Sequence, residues 1–113
     1  MKLATKVLFL DDENQKFFGE GPYRLLLGLQ ETGSLRQAAA QMGMAYTKAL
    51  RLVQHAEAGL GFALTTRQTG GRSGGGSQLT EQGKEFLQRY GAYKAACEQA
   101  NAKLYLEYFG GER

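Results

Sequence analysis

Apolar and polar positions in the first third of the chain predict a strand followed by a helix. Residues 2–10 alternate between the two types, which is typical of a strand with one wetter face, and the polar residues 11–14 end it. Residues 23–31 place leucines at helical spacing directly after Pro22, a residue that the first helical turn tolerates. Gly33 follows and ends this helix.

The middle of the chain predicts two more helices around a tight turn. Ser34 is a typical helix N-cap, and Gln37 three residues later completes a capping box. This second helix is short, because Gly43 can adopt the left-handed conformation that ends a helix. A third helix is expected over residues 45–58. Its polar side forms a single stripe of Thr47, Lys48, Arg51 and Gln54.

The last part of the chain predicts a hairpin and one long helix. Residues 64–69 favour a strand that residues 78–79 can pair with, and the glycine-rich residues 70–76 predict a protruding loop between them. Thr80 caps a helix that continues without proline to about Phe109. Apolar positions on this helix alternate spacings of four and three, the period of a coiled-coil seam: Phe86, Tyr90, Tyr93, Cys97, Ala100 and Leu104. A partner helix would cover such a seam, so we expect a homodimer.

This order of elements defines the expected fold class, which is mainly α with a small β-hairpin. Two helices around a glycine turn, followed by strand, loop and strand, form a winged helix-turn-helix, here with a long C-terminal dimerisation helix. Residues 1–79 are expected to form the DNA-binding part with its N-terminal strand, and residues 80–113 the long helix of the same domain. A chain of 113 residues leaves no room for a second full domain.

Composition excludes several classes of protein. One cysteine and one histidine cannot supply a disulfide framework or the four ligands of a structural zinc ion, so no metal site is expected. No apolar run approaches the roughly 20 residues that span a bilayer, which predicts a soluble cytoplasmic protein. Catalysis needs a nucleophile, a base and an orienting group in one pattern, and none emerges, so we expect no enzyme.

Basic residues are concentrated in the middle of the chain. The net charge is +3, and residues 34–79 carry five basic residues with Glu57 as the one acidic residue, whereas the flanking segments are nearly neutral. Such a stretch is the electrostatic footprint of a surface that meets a polyanion, although a solvated helix face has the same pattern. If the third helix lies in the major groove of DNA, Lys48 and Arg51 can hydrogen-bond to guanine. Gln54 can pair with adenine, and Thr47 can contact bases or phosphate.

Two other segments can add contacts to DNA. Arg67 and Arg72 flank the first glycines of the loop and can reach phosphates or the minor groove. The helix that begins at Ser34 presents free N–H groups to a phosphate, with Arg36 and Gln37 one turn inside.

A second function class stays open, because a winged helix can also serve as a protein-interaction module that dimerises or binds another regulator without DNA. The joint presence of the basic residues favours DNA. A nucleotide-binding loop is a weaker interpretation of the glycine-rich segment. A P-loop ends in glycine, lysine and serine or threonine, whereas Gly76 is followed here by Ser77 and Gln78.

Several motifs resemble one known family. They are Gly33-Ser34-Leu35-Arg36-Gln37-Ala38-Ala39, Gly43-Met44-Ala45-Tyr46-Thr47-Lys48-Ala49, the segment from Arg67 to Gly76, and Leu79-Thr80-Glu81-Gln82-Gly83. Together they resemble the N-terminal DNA-binding domain of the molybdate-responsive (ModE-type) transcriptional regulators. The helix-turn-helix part and the Leu-Thr-x-x-Gly motif are also similar to LysR-type regulators.

The resemblance implies a winged-helix dimer, held by the first strand region and the long terminal helices, that binds a palindromic operator in double-stranded DNA. It assigns DNA contacts to Tyr46, Thr47, Lys48 and Arg51 on the third helix and to Arg67, Gly70, Gly71, Arg72, Gly74, Gly75 and Gly76 on the wing. Ala45 stands where a capping serine is usual in the family. Full-length members continue into molybdate-binding domains, and this chain ends at Arg113, so we expect no cofactor within it.

Overall fold

The N-terminal segment begins with a short hairpin. The computed structural model describes residues 2–68 and 76–110, and in it strand β1 (Phe9–Leu10) pairs antiparallel with strand β2 (Lys16–Phe18). Asp11 closes the turn, because its Oδ1 accepts hydrogen bonds from the backbone N–H groups of Glu13 at 2.8 Å and Gln15 at 2.9 Å. The predicted strand over residues 2–10 is wrong in extent, since residues 2–8 have no paired strand in the described part of the chain.

Three helices follow, and all three predicted helices are confirmed with small differences at their ends. They are α1 (Glu20–Thr32), α2 (Leu35–Gln41) and α3 (Tyr46–Leu60). Gly33 and Gly43 adopt left-handed backbone at φ 73° and 67°, as the helix-ending glycines require. Helices α1 and α2 lie close together at Gly28, where the absence of a side chain leaves room: an added Cβ would lie 3.1 Å from the Cβ of Ala38.

The cap of α2 differs in one detail from the predicted capping box. The Oγ of Ser34 accepts a hydrogen bond from the N–H of Gln37 at 3.1 Å, as expected of an N-cap. The reciprocal bond comes from elsewhere, because the N–H of Ser34 donates to the Oγ1 of Thr32 at 3.1 Å rather than to Gln37. Thr32 therefore provides the hydrogen-bond acceptor for the N–H of Ser34 that the capping-box prediction assigned to the Gln37 side chain.

The predicted wing hairpin and last helix are confirmed, but the second strand of the wing begins at Gly76 rather than at Gln78, and residues 70–75 of the predicted loop lie outside the described residues. Strand β3 (Thr65–Gln68) pairs antiparallel with strand β4 (Gly76–Leu79), with Thr65 opposite Leu79. Helix α4 (Glu81–Phe109) has 29 residues, and the Oγ1 of its N-cap Thr80 accepts from the N–H of Gly83 at 2.9 Å. Because α4 is so long, the molecule measures 62 × 30 × 24 Å.

The core joins aliphatic side chains of the helix-turn-helix to an aromatic cluster at the base of α4. Leu25, Leu26, Leu29 and Leu64 are fully buried. Phe18, also fully buried, packs edge-to-face against Phe86 and Tyr90, each with a ring-centroid distance of 4.8 Å.

This cluster corrects the predicted seam. Tyr90 is 2% exposed, and it and Phe86 pack against Phe9 and Phe18 of the same chain. Their place in the pattern was predicted to face a partner, but the N-terminal hairpin covers them. The exposed part of the seam therefore begins at Tyr93.

The N-terminal segment runs along α4 beyond this cluster. The hydroxyl of Tyr90 donates a hydrogen bond to the carbonyl of Val7 at 2.7 Å, and the Nδ2 of Asn101 donates to the Oγ1 of Thr5 at 2.8 Å. Burial of the ring, followed by the nearby Glu20 carboxylate, raises the pKa of Tyr90 above its ordinary value. No helix in the described part of the chain combines the length and apolarity needed to span a membrane.

Candidate nucleic-acid interface

Helix α3 presents its polar stripe to solvent. Thr47, Lys48, Arg51 and Gln54 are all exposed, while Ala49 and Val53 on the opposite side are buried in the core. The helix is amphipathic with small residues on its buried side, so it lies close against the rest of the fold and its longer side chains project outward. Its diameter of about 10–12 Å suits a major groove about 12 Å wide.

A second polar surface forms where the starts of α2 and α3 meet the wing. A cavity of about 250 Å³ opens there, and its polar lining comes from Ser34 and Arg36 of α2, Tyr46 of α3, and Arg67 and Ser77 of the wing. Two arginines in one concave site, next to hydroxyl groups, form a suitable environment for a phosphate group. We call this cavity the basic pocket.

Arg36 has a defined position at the basic pocket. Its guanidinium carbon lies 4.1 Å from the centroid of the Tyr46 ring, which is the geometry of a cation–π contact. Tyr46 is half-buried and packs against the core, so it serves as a platform for Arg36. A side chain held in this way loses less conformational entropy when it binds an anion.

The cations of this face are available to an anionic partner. Within residues 2–68 and 76–110, ion pairs form only among Glu20, Glu81, Lys84, Lys94 and Glu98, away from the basic segment. Arg36, Lys48, Arg51 and Arg67 are exposed. Their charges therefore extend into solvent without compensation by a carboxylate of the described chain.

Two residues predicted to contact DNA also have structural roles. Ser34 caps α2 through its hydroxyl. Gly76 lies where β4 crosses the turn after α1, and a Cβ at this position would lie 2.9 Å from the carbonyl oxygen of Gly33. Gln37 is exposed one turn inside α2. The predicted wing residues Gly70, Gly71, Arg72, Gly74 and Gly75 lie outside the described residues.

Two residues of this region were missed by the sequence reasoning. Ser77 lines the basic pocket because it lies opposite Arg67 in the wing, and strand register is not visible in the sequence. Glu57 accepts hydrogen bonds from the backbone N–H groups of Leu64 and Thr65. The feature of the sequence that could have drawn attention to Glu57 is that it is the one acidic residue in a basic segment.

The second half of α4 presents a surface of the opposite kind. Tyr93 and Leu104 are 55% and 51% exposed, Ala100 is exposed and Cys97 is half-buried. The neighbouring Cys97 thiol raises the pKa of Tyr93 above its ordinary value. We call Tyr93, Cys97, Ala100 and Leu104 the α4 seam.

The fold and the exposed basic face together define a class of protein, namely DNA-binding transcription regulators with a winged helix-turn-helix. Such regulators act by binding DNA and not by catalysis. Residues 23–84 match the family of bacterial regulatory helix-turn-helix proteins of the lysR type, and the chain belongs to this family.

Individual relatives share the same region. The chain is 37% identical over 71 residues to the molybdenum-pterin-binding protein MopB of Rhodobacter capsulatus, covering 63% of this chain and 26% of that protein. It is 36% identical over 90 residues to the transcriptional regulator ModE of Yersinia pestis, covering 78% and 34%. ModE of Haemophilus influenzae is 30% identical over 100 residues, covering 88% and 39%. The chain thus spans between a quarter and two fifths of the length of these relatives.

Proposed function

We propose that this protein is a homodimeric, sequence-specific transcription regulator that binds a palindromic operator. Helix α3 enters the major groove, where Lys48, Arg51 and Gln54 contact base edges. The observation that carries the proposal is the exposed polar stripe of α3, whose first residue, Thr47, directly follows Tyr46 of the basic pocket. A cytoplasmic location follows from this function, since that is where bacterial operators lie.

The basic pocket holds a phosphate of the same duplex. Arg36 and Arg67 supply charge from two different elements, and the hydroxyls of Ser34 and Ser77 supply polar contacts. A contact of this type fixes the orientation of α3 on the duplex without reading sequence. The pocket therefore sets the register in which the α3 side chains reach the bases.

Dimerisation uses the α4 seam together with the N-terminal segment. Leu3 and Leu8 are 45% and 48% exposed on that segment, and Leu104 is exposed on α4. A second copy covers these side chains and places two α3 helices about one helical turn of DNA apart, about 34–36 Å. An operator with two-fold symmetry follows from such a dimer.

The relatives named ModE and MopB share this DNA-binding region with the chain, so operator recognition is the activity that we extend to it. MopB is named for binding molybdenum pterin, a property that we do not extend to this chain.

The proposal is tested by selecting sequences from a random duplex pool with the purified protein at two salt concentrations. We expect enrichment of a palindrome, and a log–log salt slope of about −5 to −9 if the dimer neutralises six to ten phosphates. Salt-dependent binding without an enriched sequence would contradict sequence recognition. Absence of duplex binding, with stable capture of another regulator, would favour the protein-interaction module.

A further inference from the structure

Glu57 links the DNA-facing helix to the wing. It lies near the end of α3, and its Oε2 accepts hydrogen bonds from the backbone N–H of Leu64 at 2.8 Å and of Thr65 at 3.2 Å. Thr65 is the first residue of β3, the strand that carries Arg67. One half-buried carboxylate therefore holds the start of the wing against α3.

The other side of the wing base is attached to α4. The N–H of Thr80 donates to the carbonyl of Leu64 at 2.9 Å, and its Oγ1 donates to the carbonyl of Ala63 at 2.7 Å. In the described part of the chain, Glu57 is the α3 residue whose side chain hydrogen-bonds to the wing base. Loss of the Glu57 carboxylate would leave the wing attached to α4 but free to change its angle to α3.

The charge of Glu57 makes this position informative. It is the one acidic residue between positions 34 and 79, and a negative charge close to a phosphate-binding face opposes DNA binding. Removing the charge would therefore strengthen binding if electrostatics alone mattered. Losing the hydrogen bonds to the wing should instead weaken DNA binding, so the effect of the charge and the effect of the hydrogen bonds can be separated by experiment.

We propose that Glu57 is a positioning residue for DNA binding, which fixes the angle between α3 and the wing so that Arg51 and Arg67 contact one duplex together. The inference rests on the proposed function, because it assumes that α3 and the wing meet the same DNA. It assigns Glu57 no contact with DNA. Its effect acts through the placement of Arg67.

The first test compares Glu57→Gln with Glu57→Ala for binding of the selected operator. Both variants lose the same negative charge, but only glutamine keeps an oxygen that accepts from the two N–H groups. We expect Glu57→Gln to bind within about threefold of the wild type and Glu57→Ala to bind about tenfold more weakly. Equal affinity of the two variants would overturn the proposal.

The second test measures coupling between Glu57 and Arg67. Arg67→Ala is introduced into the wild type and into both Glu57 variants, and the ratio of affinities is taken in each background. We expect a loss of about five- to tenfold in the wild type and in Glu57→Gln, but less than about twofold in Glu57→Ala. A purely structural role would lower the folded fraction and leave these ratios equal, which would overturn the proposal.

Two further measurements secure the result. If Glu57→Ala does not fold by circular dichroism, Glu57→Asp replaces it, since it keeps the charge and withdraws the carboxylate by one bond. Without DNA, amide exchange at Leu64 and Thr65 should be faster in Glu57→Ala than in Glu57→Gln, and equal rates would count against the positioning role.

A wild type that binds no duplex would overturn both the proposed function and this inference. Normal binding with unchanged ratios would overturn the inference alone.

Discussion

The polar face of α3 and the second half of α4 are both exposed, but for opposite physical reasons. On α3, Lys48 and Arg51 are exposed because the core needs only the small side chains of Ala49 and Val53 on the other side of the helix. On α4, Leu104 and Tyr93 are exposed although they are apolar, because α4 extends beyond the elements that cover its first turns.

This difference indicates what each surface requires from a partner. A polar, cationic face is stable in water and gains from a polyanion through charge and counterion release. An apolar stripe gains from burial, at about 25 cal/mol per Å² of apolar surface, and so favours a second apolar helix. We therefore expect mutations on α4 to act through dimerisation and mutations on α3 to act through direct contact with DNA.

The largest effect is expected from Leu104→Lys in the α4 seam. A charge at this position opposes helix pairing, so the dimer should dissociate and operator affinity should fall about 10²- to 10³-fold as the two half-sites lose their linkage. Sedimentation equilibrium and fluorescence anisotropy measure the two outcomes. Leu106→Lys is the matched control, because Leu106 is 62% exposed on another face of the same helix. Dissociation by both variants would contradict the assigned seam.

The next effect is expected from replacing Lys48 and Arg51 together with alanine. Each side chain contributes about 1–3 kcal/mol if it contacts bases or phosphates, so operator affinity should fall at least about 30-fold. The dimer should persist, because these residues lie away from α4. Replacing Arg89 and Lys103 of α4 changes the net charge equally and serves as the control. Unchanged affinity in the double variant would remove α3 from the interface.

The same comparison separates what the sequence could predict from what it could not. Helix ends at Gly33 and Gly43 and the N-cap Ser34 depend on neighbouring residues, so local rules found them. The seam was predicted too long, because spacing along α4 cannot distinguish Phe86 and Tyr90, which the chain's own hairpin covers, from apolar residues that stay exposed.

The hairpin itself was the element that sequence reasoning missed. Strand β2 has three residues, Lys16–Phe18, too few to show an alternating pattern. The roles of Ser77 and Glu57 were also not predictable, since both depend on how the wing lies against α2 and α3. In this protein, local signals define the helices, and contacts between elements define the candidate interface.

A smaller effect is expected at Ser34, where the fold and the basic pocket share one residue. Ser34→Ala removes the cap of α2 and should lower the free energy of unfolding by about 1 kcal/mol. Ser34→Asp keeps a good N-cap but adds a negative charge to the pocket, so it should preserve stability and weaken DNA binding. Urea unfolding and anisotropy measure both. Normal DNA binding by Ser34→Asp would contradict a phosphate in the basic pocket.

The smallest effect is expected at Tyr90, which joins the N-terminal segment to α4. Tyr90→Phe loses the hydrogen bond to the Val7 carbonyl and should lower the free energy of unfolding by about 0.5–1.5 kcal/mol at neutral pH. The pKa of Tyr90 is raised in the folded state, so above about pH 10 the unfolded chain loses this proton first and wild-type stability falls with pH. The variant lacks that contribution, and its stability should fall less steeply in urea titrations between about pH 9 and 11. Tyr108→Phe, at a residue 76% exposed, should keep the wild-type slope, and a slope shared by all three proteins would contradict a raised pKa of Tyr90 in the folded chain.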